Sequence, residues 1–346
     1  MKKLIPLTFL LLVTAVHAQF DAIRTLQPDQ GQEVRRPIEA VIFNSAPADL
    51  PAHETALLEI FQDSKTTLEG KQYACRMLRH CASKASIPIL APQLTNPDLS
   101  SFVRLVFQGL KSSAADKALL KALPKASPAL QIGIVGTLGQ RGNVKSIKAI
   151  NPFLKSHDPK MQNAAIVALG NIGGKDAIKA LARINTTQSK LVQIKCAKAL
   201  YPKAATSVYT KYQHDDNVQV QVASLIGITQ LFPVQFTPEV LKVLDSESPK
   251  LRRAALGLLA SCPTKNLLDG IGTLAPENQL FVITSLANRK ATDAETIMLQ
   301  LTKSKNEAVR DAALQALGSV GRDASVATLI AAAPTSKPAF ASLTAL

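Results

Sequence analysis

Nine apolar residues recur at nearly constant spacing in this chain. Leu78, Phe107, Leu138, Leu169, Leu200, Ile226, Leu259, Leu286 and Leu317 occupy equivalent places in nine similar segments, at intervals of 29, 31, 31, 31, 26, 33, 27 and 31 residues. A period near thirty that holds two helical patterns predicts stacked helix pairs, each sealing the apolar side of its neighbour. The expected fold is all-α, a right-handed α-solenoid of nine to ten such pairs. A compact helical bundle is the alternative, but a bundle has no reason to repeat its punctuation.

The punctuation does repeat. Eleven residues before the anchors stand Thr67, Asn96, Ser127, Asp158, Ser189, Asp215, Ser248, Ala275 and Asn306. All but Ala275 are residue types whose side-chain oxygen accepts an orphan N–H of a first helical turn. Proline follows at positions 97, 128, 159, 249 and 276, where a missing N–H has no cost. Gly142, Gly173 and Gly321 lie where a left-handed C-terminal cap is expected. Each period therefore ends in a second helix, B. A first helix, A, precedes it over Ala85–Leu94, Lys117–Lys125, Ser146–Leu154, Asp176–Ile184, Pro238–Leu244, Asp293–Thr302 and Ala324–Ala333. Small residues crowd each B helix before its anchor, as in Ala164, Ala165 and Ala168, and let neighbouring backbones approach.

The segments Met161–Gly173 and Val309–Gly321 resemble HEAT repeats, of the short HEAT-like type first described in phycobilisome lyases. The resemblance spans roughly residues 54–346. It implies an armadillo-like helical fold and leaves function open, because one repeat architecture serves many tasks. The family often has Asp at the cap, matched by Asp158 and Asp215, and Arg in the first turn of B, matched by Arg252 and Arg310.

Residues 1–18 read as a cleavable signal peptide: Lys2 and Lys3, an apolar stretch from Leu4 to Val16, then Val16-His17-Ala18. The apolar run is too short for a comfortable membrane span, so no stable membrane insertion is expected after cleavage. The mature chain should begin near Gln19 and reside in a bacterial periplasm or outside the cell. An uncleaved anchor is the other reading.

The formal charge is +15, an excess that usually marks attraction to polyanions. Basic residues gather after the B helices at Lys111, Arg141, Lys175, Lys203, Lys265, Arg289, Lys290 and Arg322. There they complement the negative ends of helix dipoles. Stacked, they would also form a basic edge suited to acidic polysaccharide or another envelope polyanion. The chain has no Trp and four Tyr, too few stacking surfaces for an extruded base, so no nucleic-acid partner is expected.

Nothing in the sequence assembles a catalytic, metal or cofactor site. No histidine pair has zinc spacing, no glycine-rich loop follows a strand, and no nucleophile elbow occurs. Cys75, His80 and Cys81 lack a fourth ligand and fit no zinc motif. Cys75 and Cys81 could pair only if their helix ended near His80. Cys196 reads as a small core residue.

One polar row remains. Seven residues before the anchors lie Lys71, Ser100, Gln131, Gln162, Gln193, Gln219, Arg252, Gln279 and Arg310. Stacked B helices would align them as a ladder along the inner wall. Glutamine both donates and accepts, so the ladder could grip a peptide or glycan; it could equally staple one repeat to the next.

Residues 19–52 do not fit the period and read as a capping or linker segment with one helix near Glu33–Phe43. Thr335 and Leu346 stand at a tenth cap and anchor. That leaves a last helix waiting for a partner, or a chain that is part of something longer. The expected function is an exported, non-catalytic scaffold for a protein or peptide, with polyanion binding as the alternative.

Overall fold

A computed structural model describes residues 20–199 and 202–343, the side chains of residues 202, 203, 340 and 343 excepted. The expected signal peptide therefore lies outside the described residues. Among the described residues every regular element is an α-helix or a short 3-10 turn. No helix among them is long and apolar enough to cross a membrane. The chain divides into two compact units, Met1–Val192 and Gln193–Leu346, each an α-solenoid stack.

In the first unit an amino-terminal helix α1 (Gln32–Phe43) precedes the pairs α2 (Leu50–Gln62) with α3 (Leu68–Cys81), α4 (Ser86–Leu90) with α5 (Ser100–Gly109), α6 (Ser113–Ala122) with α7 (Pro128–Arg141), and α8 (Ile147–Ile150) with α9 (Pro159–Ile172). Then come α10 (Gly174–Leu181) and α11 (Thr187–Ala197), within which the division falls. A helices pack on A helices and B helices on B helices: α3 on α5, α5 on α7, α7 on α9. The A helices α4, α6 and α8 are short because Pro92, Pro124 and Pro152 follow them, and the chain continues as 3-10 turns.

The second unit holds α12 (Pro202–Tyr212) with α13 (Val218–Leu231), α14 (Pro233–Val243) with α15 (Pro249–Leu258), α16 (Thr264–Ile271) with α17 (Pro276–Asn288), α18 (Glu295–Leu301) with α19 (Glu307–Val320), and α20 (Asp323–Ala332) with α21 (Lys337–Leu343). Its own apolar core runs from Leu225 to Ala339, and that of the first unit from Phe20 to Leu181.

Seven of the nine expected anchors are buried: Leu78, Phe107, Leu138, Leu169, Leu259, Leu286 and Leu317. The other two are out of register. The cap expected at Ser189 is Thr186, whose Oγ1 accepts the Ser189 N–H at 3.1 Å. Eleven residues on stands Ala197, fully buried, whereas Leu200 lies outside the described residues. The cap expected at Asp215 is Asn217, whose Oδ1 accepts the Gln219 N–H at 2.9 Å. Its anchor is then Ile228, fully buried, with Ile226 only partly so. The corrected intervals are 28, 31 and 31 from Leu169 to Leu259. Both loops offer several cap-forming residues in a row, so pattern alone could not choose among them.

Glycine ends α7 in the expected left-handed way, with φ +70° and ψ 13° at Gly142; at Gly173, after α9, φ is also positive (+69°) but ψ is −166°, so the backbone there is extended rather than left-handed helical. Gly321 departs further: φ is −70° and the backbone is extended. A side chain there would meet the Leu317 carbonyl at 2.4 Å, so closeness rather than handedness calls for glycine. After α17 the position equivalent to Gly142 is Lys290, the one non-glycine residue with positive φ among the described residues, at 50°. Left-handed backbone costs an L-residue roughly 1–2 kcal/mol.

Two arginines tie successive pairs together. Arg141, at the end of α7, donates to the carbonyls of Phe107, Leu110 (2.7 Å) and Ser112 (2.8 Å) and to Asp116 Oδ1 (2.5 Å). Arg289, at the matching place after α17, donates to the carbonyls of Leu259 and Cys262, both at 2.8 Å. In each case the guanidinium reaches back to the preceding B helix. It donates to the carbonyl of the anchor, which also accepts the N–H three residues on, and to the carbonyl of that residue, where the helical run ends.

Arg141→Ala is expected to cost about 3–5 kcal/mol, because it strands a buried carboxylate. Arg141→Lys should recover only part of this, since an ammonium cannot reproduce the planar fork. Denaturant unfolding measures both. Gly142→Ala has open space for its methyl group and should still cost about 1 kcal/mol, whereas Lys290→Gly should gain up to about 1 kcal/mol. Equal and opposite absence of effect in thermal melts would contradict this backbone assignment.

Candidate functional site

The row seven residues before the anchors turns inward to its own repeat. Gln131 donates to the Leu123 carbonyl at 3.1 Å, Gln162 to Leu154 at 2.9 Å and Gln279 to Leu274 at 3.0 Å. Arg252 donates to Ser246 at 2.5 Å, Arg310 to Ser304 at 3.0 Å, and the Ser100 hydroxyl to Leu94 at 2.7 Å. Every acceptor is a carbonyl where the A helix of the same pair ends. The side chains fasten A to B within a repeat; they neither bridge repeats nor form a free ladder. Where the register slips, Ser189 does the same work with its hydroxyl on the Leu181 carbonyl at 2.6 Å. Gln193 instead accepts from the buried Tyr212 hydroxyl at 2.9 Å. Lys71 is half-buried and Gln219 exposed.

The expected basic edge divides in the same way. Arg141 and Arg289 are the staples described above. Lys265 pairs with Asp269 at 2.9 Å on an exposed surface, a contact worth little. Arg322 donates its N–H to Glu295 Oε1 at 2.7 Å and its guanidinium to Thr292 at 2.6 Å. The Ser325 hydroxyl, which donates to the same carboxylate oxygen at 2.6 Å, and the Arg322 N–H hold the Glu295 carboxyl below its ordinary range. Lys111, Lys175 and Lys290 remain exposed, and the Lys203 side chain lies outside the described residues.

A different row is open to a ligand. Two residues after the anchors stand Gln140 and Asn171 in the first unit, and Gln230, Ser261, Asn288 and Ser319 in the second. All are exposed, and none of these side chains has a hydrogen-bonding partner among the described residues. They lie at the carboxyl ends of B helices, on the face that the neighbouring pairs leave uncovered. The sequence held the signal, a carboxamide or hydroxyl at a fixed place in the period. The more regular glutamines, which were already committed to helix ends, drew attention away from it.

In the second unit the same face carries two cavities of about 430 Å³ each. One lies between α13 and α15, floored by Val222, Ile226 and Ala254 and rimmed by Gln219, Lys250 and Arg253. The other lies between α15 and α17, bordered by Leu256, Ala260, Phe281, Thr284 and Asn288. Phe281 is 45 % exposed.

The arrangements that most resemble catalytic groups are structural. His53 Nε2 lies 2.6 Å from Ser45 Oγ, but that hydroxyl is donated to the Val41 carbonyl. Nε2 must then carry the proton, so the ring cannot act as a base toward Ser45. Burial lowers the His53 pKa, with Asp49 opposing. The buried Glu54 carboxylate accepts from the Ser83 N–H at 2.8 Å and from the Ser86 hydroxyl at 2.5 Å, where it secures the start of α4. Cys75 and Cys81 sit on the continuous helix α3 and are free and buried. Burial pushes each thiol up to about 12, with Glu54 adding to the effect at Cys81. Cys196 and Cys262 are also free and buried. No group of three metal-ligating side chains occurs among the described residues.

Residues 117–201 and 264–346 match the family described as HEAT repeats. No curated protein matches the sequence. Among solved structures, the karyopherin Kap121p bound to the extreme C-terminus of the protein phosphatase Cdc14p is similar over 99% of this chain and 46% of that one, at 11% identity and a TM-score of 0.50. The chain thus spans about half the length of that karyopherin. An engineered protein is similar over 89% of this chain and 99% of its own, at 16% identity and a TM-score of 0.39. The complex of CpcE and CpcF of phycocyanin lyase from Nostoc sp. PCC7120 covers 67% of this chain and 94% of its own, at 20% identity and a TM-score of 0.33. At these identities the likeness extends to the helical fold alone.

The bonds of the glutamine row predict a clear split. Gln131→Ala and Gln162→Ala should each lower stability by about 1 kcal/mol, the usual worth of such a bond. Gln219→Ala should leave it unchanged. Thermal unfolding of the three single variants tests the assignment; a loss confined to Gln219→Ala would overturn it.

Proposed function

We propose that this protein is an exported, non-catalytic HEAT-repeat scaffold that receives a protein or peptide partner on the uncovered face of its B helices. The observation that carries the reading is the recurrence, in each unit, of exposed carboxamides unpartnered among the described residues: Gln140 and Asn171 in the first, Gln230 and Asn288 in the second. A carboxamide offers two donors and an acceptor, which matches the alternating N–H and C=O groups of an extended main chain. Export rests on the amino-terminal Lys2-Lys3, the apolar stretch and the Val16-His17-Ala18 site.

The alternative, an acidic polymer along the basic edge, keeps Lys111, Lys175 and Lys290 as exposed cations. Its strongest members, Arg141 and Arg289, are committed to carbonyls inside the fold. That loss weighs against it.

The test is capture of a partner by immobilised mature chain, beginning at Gln19, from periplasmic or secreted extract. The combined variant Gln140→Ala, Asn171→Ala, Gln230→Ala and Asn288→Ala should lose at least about tenfold in affinity with an unchanged melt. Equal capture by the variant would refute the amide row. Capture that vanishes with moderate salt and ignores the amides would favour the polymer, in the manner of counterion release. Amino-terminal sequencing of the exported protein should begin at Gln19.

A further inference from the structure

The two cavities on the B-helix face of the second unit share a helix, and their linings differ in a way that specifies an occupant. The α13–α15 cavity has an apolar floor of Val222, Ile226 and Ala254 and a cationic rim of Lys250 and Arg253, with no carboxylate in its lining. Lys250 and Arg253 are exposed, and no ion pair holds either one among the described residues. The α15–α17 cavity presents Leu256 and the half-exposed Phe281 ring, and the unpartnered Asn288 amide stands at its edge. Arg289 also borders it, but its guanidinium is held by the Leu259 and Cys262 carbonyls.

The spacing follows from helix geometry. Packed helices lie about 8–10 Å apart. The cavities are also offset along α15, from Arg253 in one to Leu256 and Ala260 in the other, or roughly 5–10 Å at 1.5 Å per residue. The centres are therefore about 10–14 Å apart. An extended chain covers that distance in four residues at about 3.3 Å each, and side chains four apart point to the same side.

We propose that this face of the second unit binds an extended acidic peptide with two apolar side chains four residues apart. One apolar side chain seats over Ile226 and Val222 and the other against Phe281. An aspartate or glutamate flanking the first meets Lys250 and Arg253, and the Asn288 amide pairs with the peptide main chain. This inference rests on the peptide-binding reading above and narrows it to one unit and one peptide chemistry.

Fluorescence anisotropy on the mature chain tests it with three labelled synthetic peptides of about ten residues. The first carries a leucine and a phenylalanine four apart, flanked by aspartates. The second replaces the aspartates with lysines, and the third replaces the two apolar residues with serines. The first should bind saturably and the other two at least about tenfold more weakly. Lys250→Glu with Arg253→Glu, both at exposed positions, should reverse the preference between the first two peptides. Phe281→Ala should weaken the first about fivefold or more, with an unchanged melt. Equal binding of the lysine peptide would overturn the proposal and leave general peptide binding standing. Equal binding of the serine peptide, lost in salt, would overturn it in favour of plain polyanion attraction. Saturation by none of the three would overturn it outright, and partner capture by the amide row would then be decided by the extract experiment alone.

Discussion

A pair of short helices has one apolar side too many: it can cover itself on one flank and must borrow cover on the other. Everything else in this protein follows from that shortage. Successive pairs lend each other their flanks, the anchors fill the seam, and alanines such as Ala165, Ala168, Ala255 and Ala313 let the backbones close in. Apolar burial of this kind is non-directional and fixes no register. The register comes from polar groups at helix ends, where every lost hydrogen bond must be replaced.

Two replacements recur. Within a pair, a glutamine, arginine or serine in the first turn of B meets the carbonyls that end A. Between pairs, Arg141 and Arg289 meet the carbonyls that end the preceding B. Both devices place charge or amide where a simpler reading puts a binding site. A cationic side chain close to a helix end in sequence can belong to the helix before it, and a count of basic residues cannot tell the two apart.

The sequence disclosed the architecture because one eleven-residue offset links cap position to buried anchor at seven of nine places, five of them with proline next to the cap position. It failed at Leu200 and Ile226, where Thr186 and Asn217 compete with near neighbours for the cap and apolar residues occupy both registers. It also identified Cys196 as a core residue. The glutamine row was legible as a row but not as a bond, because its acceptors are backbone atoms that leave no mark on composition. The open carboxamides at Gln140, Asn171, Gln230 and Asn288 were missed because they alternate with serines and share no single residue type.

The segregation of these rows gives the molecule a particular freedom. Side chains that hold the layers together, in the first turns of B helices and at Arg141 and Arg289, point into the stack, while the neighbouring open carboxamides such as Gln140 and Asn288 face outward. Specificity can then be rewritten one layer at a time without disturbing the scaffold. The molecule resembles a rack whose shelves are bolted at the back and whose fronts can be relabelled.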